Sequence, residues 1–204
     1  MKSVFCITGI CLLAACGGDG DGSDMGILSS GILQDIEVPS TADLADTPAG
    51  VQALVADFRD LNENNLPTDT LPGGTGDYTG TYGVGLDGED NDTVIVGDMA
   101  LTANFGGRTI TGSVDNLSGR SDGEDFTLSN DLHVNMTIDD SDSTVSGTIA
   151  GTVELDAEDY DINGTLDGGF GGDDGEVLLG VTEGSIDNPD GSNDEFSGYW
   201  ATEG

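Results

Sequence analysis

The groups with most chemical capacity in this chain are carboxylates gathered in short loops. The stretch "DNPDGSNDE" runs from Asp187 to Glu195 and places Asp187, Asp190 and Asp194 in one turn-rich segment with Ser192 and Glu195. "DGEDND", Asp87 to Asp92, has the same character. Ca²⁺ takes roughly six to eight oxygen ligands, and alternating carboxylates in a glycine-bearing loop supply them. Asp187, Asp190 and Asp194 are therefore the candidate metal ligands, and Ca²⁺ is the one cofactor the sequence suggests. Neither stretch has the full EF-hand spacing, because the distant bidentate glutamate is missing. Aspartate is also a favoured turn residue, so such loops arise without any metal. The remaining chemistry is sparse. His133 is the only histidine and has no partner for a metal site or a catalytic triad. No serine stands in a nucleophile elbow, and acidic pairs are too numerous for any one to mark a catalytic dyad. The sequence points away from an enzyme.

The three cysteines, Cys6, Cys11 and Cys16, all fall near the start. Lys2 is followed by the apolar run "VFCITGICLLAA", which suits a signal-peptide core and is too short to span a bilayer as a helix. The run ends Leu13-Ala14-Ala15-Cys16 and gives way at once to "GGDGDGSD". This resembles the lipobox of bacterial lipoproteins, in which a branched apolar residue and two small ones precede the cysteine that is lipidated and becomes the mature N-terminus. The reading assigns residues 1–15 to a signal peptide and lipidation to Cys16. Each buried CH₂ of an acyl chain adds roughly 0.8 kcal/mol of membrane affinity, so two or three chains anchor stably. Removal of the leader and acylation of Cys16 leave no disulfide and no free thiol.

Charge narrows the partners further. The chain has 40 acidic residues, 4 basic ones and a formal net charge of −36. After Lys2 the only basic residues are Arg59, Arg108 and Arg120. Nucleic acid is excluded, because phosphate binding needs a basic face. Such a charge keeps the surface hydrated and the chain monomeric, and salt makes the self-repulsion tolerable.

The elements that must position these groups follow from periodicity. Residues 16–40 read as a flexible Gly/Asp tether, and residues 41–76 as a short helical segment and linker. In the helix Asp46 or Thr47 caps, Pro48 occupies the first turn, and Val51, Leu54, Val55, Phe58 and Leu61 form one apolar face. Its expected place is over one end or edge of the domain. From Asp77 to the C-terminus the period is two. In "TVSGTIAGTVEL" Val145, Gly147, Ile149, Gly151, Val153 and Leu155 share one face. Such runs lie near 77–86, 93–105, 108–117, 125–138, 143–155, 159–170, 175–186 and 195–202, with Gly/Asp/Asn turns between them. This is an all-β antiparallel meander. It is best closed as an eight-stranded up-and-down soluble barrel, residues 77–204, preceded by the short helix and a disordered tether. The apolar faces belong inside, since the other faces carry Thr, Ser, Asp and Asn and no aromatic girdle. Inward glycines at 80, 97, 112, 147, 151, 164 and 198 would let a narrow barrel close. Phe196 and Trp200 are expected in the core, Tyr199 and His133 on the surface.

One set of motifs recurs in a known family. A lipobox, a Gly/Asp tether and a short helix ending in "LP" precede "YTGTYGVG"; then follow "NFGGRTITGSVDNL", "INGTLDGGFGGDDGEVLLGVTEG" and "FSGYW". The set resembles the transferrin-binding-protein-like β-barrel of Gram-negative surface lipoproteins, as in the barrel lobes of transferrin-binding protein B and factor H binding protein, over residues 66 to 204. Gly171, Gly172 and Asp173 stand where the family usually has Tyr-Gly-Pro, so the fold and the Cys16 anchor carry over and no ligand residues do. The resemblance implies an outer-membrane, lipid-anchored binding module on the periplasmic face or the cell surface. Its ligand would be a protein or a small nutrient of iron or haem type. Gly17, rather than aspartate, after the anchor favours the outer membrane. The alternative is a structural or adhesive acidic surface lipoprotein with Ca²⁺-stabilised loops.

Overall fold

The computed structural model describes residues 26–28, 31–34, 36–39, 47–68, 70–86 and 93–204. The lipobox with Cys16, most of the tether and the "DGEDND" loop lie outside the described residues. Nine strands follow one helix: β3 (Thr75–Leu86), β4 (Val94–Asn104), β5 (Thr109–Ser121), β6 (Glu124–Thr127), β7 (Leu132–Asp139), β8 (Thr144–Leu155), β9 (Glu158–Gly171), β10 (Val177–Asp187) and β11 (Asn193–Glu203). Two short strands, β1 (Gly26–Leu28) and β2 (Ile36–Val38), pair antiparallel ahead of the helix α1 (Ala49–Asn64). The order β3-β4-β5-β7-β8-β9-β10-β11 closes on itself, because β11 pairs back onto β3 with Trp200 opposite Tyr82. All pairings are antiparallel. This is the eight-stranded up-and-down barrel that the alternation predicts.

The alternation holds strand by strand. Along β7, Leu132, Val134, Met136 and Ile138 are buried while His133, Asn135, Thr137 and Asp139 are exposed. His133 is thus on the outer wall, as expected. One expected run divides. Residues 125–138 form β6 and β7, separated by a step at 128–131. The cause lies in β5. Asn116 takes a left-handed conformation (φ 53°) and the β4–β5 register shifts between Val96 and Asp98. A strand bent there cannot keep one straight partner. β6 therefore pairs with Ser118–Ser121 and β7 with residues 109–114. Phe126, Leu128 and Leu132 keep the same parity across the step, so alternation alone hides it.

The interior is closed by fitting aromatic rings over glycines. Gly180 of β10 lies between Gly168 of β9 and Trp200 of β11 in register. A Cβ on Gly180 would meet the Trp200 indole at 2.4 Å and the Asp167 carbonyl at 2.1 Å. One layer along, Gly184 lies between Gly164 and Phe196, and a Cβ there would meet the Phe196 ring at 2.5 Å. Both rings are fully buried, and the Trp200 indole N–H donates to the Val181 carbonyl at 3.1 Å. At one end Tyr78, Phe105 and Phe170 stack with centroids 5.9 and 5.5 Å apart. The Tyr78 hydroxyl donates to the Gly175 carbonyl at 2.7 Å. The segment carrying Leu66 and Thr68 adds to the edge of β9 there: Gly172 N–H donates to Leu66 and Thr68 N–H to Phe170.

The helix lies against the side wall of the barrel, not over its end. Val51, Leu54, Val55 and Phe58 pack on Val94, Val177, Leu179, Tyr199 and Ala201 in a second apolar cluster outside the barrel. Tyr199 does point outward, as alternation requires, yet it is 1 % exposed. The expected surface position is corrected because α1 covers that face, with the Phe58 and Tyr199 rings 4.7 Å apart. Burial of each ring stabilises by about 1.5–3 kcal/mol, and the pair adds about 0.5–1.5 kcal/mol. Gly83 admits the helix, since a Cβ there would meet Leu54 at 2.5 Å. Pro48, not Asp46 or Thr47, occupies the cap position and brings no side-chain bond. The N-terminal segment is fastened to α1. Buried Asn62 accepts from Leu33 N–H at 2.7 Å and donates to the Leu33 carbonyl at 3.0 Å. Arg59 donates to the carbonyls of Val38 and Pro39 at 3.2 and 2.8 Å. No helix among the described residues is long and apolar enough to cross a membrane.

Two outcomes test this packing. Gly180→Val is expected to lower stability by about 3 kcal/mol or more, because overpacking is joined to a backbone clash. Gly73→Ala, with nothing within 4 Å of the new methyl, should stay within about 0.5 kcal/mol; urea midpoints of the two variants decide. Burial first, and then the Glu176 charge, push the Tyr78 hydroxyl from 10.0 up to about 12. A raised folded pKa gives stability that is whole below pH 10 and lost as the pH rises toward 12. Denaturant midpoints should therefore fall over that window, and Tyr78→Phe should flatten the fall.

Candidate ligand-binding site at the barrel mouth

The two ends of the barrel differ. At the end opposite the Tyr78–Phe105–Phe170 stack, the interior opens into a cavity of about 340 Å³. Its wall is apolar: Ile95, Leu128, Val153, Ile162 and Ile186 are buried core, while Leu86, Phe126, Leu155 and Tyr160 are partly exposed. A few polar groups stand at the rim. Thr93 and Ser121 bond to each other through their hydroxyls at 2.7 Å. The Asn188 amide donates to Asp194 at 2.8 Å. An apolar recess with a small set of polar rim groups, at the mouth of a barrel, is the usual form of a ligand pocket.

The mouth has a seam in its wall. Above the step at 128–131, β6 pairs only with β5, and the upper end of β8 pairs only with β9. Ser129 and Glu154 bridge the two sides by reciprocal backbone bonds of 3.0 and 3.1 Å. Beside that bridge runs an open groove lined by Asp122, Glu124, Asp125, Glu154 and Asp156, and it shares Ser121, Phe126 and Leu155 with the apolar cavity. Arg120 is the one base here among the described residues. Its guanidinium pairs with Asp125 at 2.7 Å, which lowers the Asp125 pKa. The Tyr160 hydroxyl registers the local field. Burial raises its pKa, and the charges of Glu158, Asp156 and Asp190 raise it further.

The candidate metal ligands sit at this same end, in the β10–β11 loop, but they do not converge. Asp187 accepts from the Asn193 amide at 2.6 Å. Asp190 accepts from the Ser192 hydroxyl and N–H at 2.6 and 2.8 Å, and these bonds lower its pKa, the hydroxyl most. Asp194 is held by Asn188. Asp190 closes its own turn, and Asp187 and Asp194 each accept from an asparagine across the hairpin. Among the described residues no group of three or more His, Cys, Asp or Glu is placed to hold a metal ion. The apolar cavity itself was missed from sequence. Its walls are ordinary inward strand residues, and nothing in their spacing separates a packed layer from an open one.

No protein-family model matches this chain, and no curated protein does. Among solved structures the chain is similar to a transferrin binding protein B, a vaccine antigen of Haemophilus parasuis Hp5. The TM-score is 0.46 and the identity 19 %, over 68 % of this chain and 28 % of that one.

The turn that frames the cavity is strained. Asp156 and Ala157 both take left-handed conformations (φ 54° and 65°), making the two-residue turn between β8 and β9. Alanine pays for its Cβ in that region, whereas glycine does not. Ala157→Gly is expected to stabilise by a few tenths to about 1 kcal/mol, read as a higher thermal midpoint with the mouth otherwise unchanged.

Proposed function

We propose that this chain is an outer-membrane lipoprotein, anchored through Cys16, whose barrel is a non-catalytic binding module that takes its ligand at the open mouth. The observation that carries the binding reading is the asymmetry of the barrel. One end is stoppered by Tyr78, Phe105 and Phe170, and the other holds an apolar recess of about 340 Å³ ringed by loops. An apolar recess with a few polar rim groups is the usual form of a ligand pocket. The lipobox at residues 13–16 and the Gly/Asp stretch after it support an anchor that holds the module off the membrane. The absence of a basic patch, with a net charge of −36, makes a ligand with cationic character the complementary one. Haem fits poorly by this criterion, since its carboxylates would enter a rim already crowded with negative charge.

The anchor and the pocket are tested separately. In a Gram-negative host, the wild-type chain should incorporate an alkyne-labelled fatty acid and sediment with the outer membrane. Cys16→Ala should lose the label and the sedimentation; label retained in that variant would remove the lipoprotein reading. For the pocket, Leu155→Trp should fill the mouth. Saturable ligand binding unchanged in that variant would remove the mouth as the site.

A further inference from the structure

We propose that the mouth selects small amphiphilic cations: an apolar body enters the cavity walled by Val153, Ile162 and Ile186, and an ammonium or guanidinium group lies in the acidic seam beside Glu124, Glu154 and Asp156. The inference rests on the reading of the mouth as the binding end and names the chemistry of the ligand. Three observations carry it. First, the cavity and the acidic groove are one continuous surface, sharing Ser121, Phe126 and Leu155. A molecule seated in the cavity therefore lies beside the carboxylates of the groove. At about 340 Å³ the cavity is at the small end of ordinary ligand pockets, about 300–1,000 Å³, so the apolar body is a small one.

Second, the seam's charge is not neutralised from within. Arg120 is already paired with Asp125. Of the other bases, Arg59 binds carbonyls on the helix side, and Arg108 pairs with Asp140 at the stoppered end. Glu124, Glu154 and Asp156 are exposed, and among the described residues no base forms an ion pair with them. Third, carboxylates converge on the mouth from several elements. The negative charges of Glu158, Asp156 and Asp190 all act on the Tyr160 hydroxyl at the cavity rim. Clefts lined by one sign of charge beside low-dielectric walls concentrate the opposite ion. Phe126 and Tyr160 add ring faces to which a cation is attracted.

The test uses three dyes of one size class with the full chain: dansylcadaverine, a cation; dansylamide, which is neutral; and 1-anilinonaphthalene-8-sulfonate, an anion. Fluorescence titration should show one saturable, blue-shifted site for dansylcadaverine, bound at least tenfold more tightly than the anion. Its affinity should fall several-fold between 0.05 and 0.5 M NaCl, as screening shortens the reach of the carboxylates. The double variant Glu154→Gln/Asp156→Asn changes two exposed side chains and should weaken the cation at least threefold while leaving dansylamide unchanged. Leu155→Trp should abolish all saturable binding. Equal binding of cation and anion, or a double variant that binds dansylcadaverine as the wild type does, would overturn the charge selection and leave the mouth as a pocket. No saturable binding of any dye would overturn both readings.

Discussion

Eight strands closed into a narrow ring leave too little room for an ordinary side chain at every inward position, and the rest of this structure follows from that limit. The inward faces of β9 and β10 answer it with paired glycines, Gly164 beside Gly184 and Gly168 beside Gly180. β11 answers it with Phe196 and Trp200, whose rings spread over those pairs. Glycine in a strand costs conformational entropy and offers nothing to pack. Here the ring laid over each pair restores the lost contact and excludes water. Because two neighbouring strands yield together, one large ring fills the space of three small side chains. That substitution lets a chain with 5 % aromatic residues build a dense interior.

The same limit pushes apolar surface outward. A ring this narrow does not enclose enough apolar area for a chain of this length, and β11 carries Tyr199 and Ala201 on its outer side. α1 turns that surplus into a second core, with Phe58 against Tyr199 and Leu54 seated over Gly83. The helix then becomes the platform for the segment before it. Asn62 makes both bonds of a strand neighbour to Leu33 without being in a strand, and Arg59 spends its guanidinium on carbonyls in preference to the many carboxylates available. In so acidic a chain a carbonyl partner for arginine is informative: burial of the segment, and not charge pairing, sets that contact.

Much of this was legible in the sequence, for physical reasons that differ by element. The strands could be read because a closed barrel with a polar outside imposes strict alternation, and "LHVNMTID" obeys it without exception. The inward glycines at 80, 97, 112, 147, 151, 164 and 198 could be read because they fall in phase with that alternation, whereas Gly168, Gly180 and Gly184, which lie beneath the two rings, were missed. Tyr199 could not be placed, because its phase gives the outer wall correctly but says nothing of what covers the wall. The break in 125–138 was hidden for a related reason. A step that preserves parity leaves the pattern intact, and its cause, the left-handed Asn116, lies on another strand. Asp187, Asp190 and Asp194 were legible as a loop and not as a geometry, since the same side chains that ligate metal also close turns on serine and asparagine.

The mouth can be traced back through these features to a single residue. Asn116 bends β5, and the bend means that no single strand can follow it to the rim. β6 takes the upper half and β7 the lower, so β8 runs on past the end of its partner. The Ser129–Glu154 bridge and the bond from the Asn130 amide to the Thr152 carbonyl hold the wall together above that point. A barrel with eight full-length partners would carry its core to the rim and present a flat, polar end. This one lacks the β6–β8 ladder near the rim, and the last inward layer, from Ile95 to Ile186, lines an open cavity. Phe126 and Leu155, which line both the cavity and the groove, are half-covered beside that gap. The recess therefore does not need a dedicated set of pocket residues. It is what ordinary core positions become where two neighbouring wall strands, β6 and β8, are not paired, and the acidic loops that close the neighbouring turns give it a charged rim.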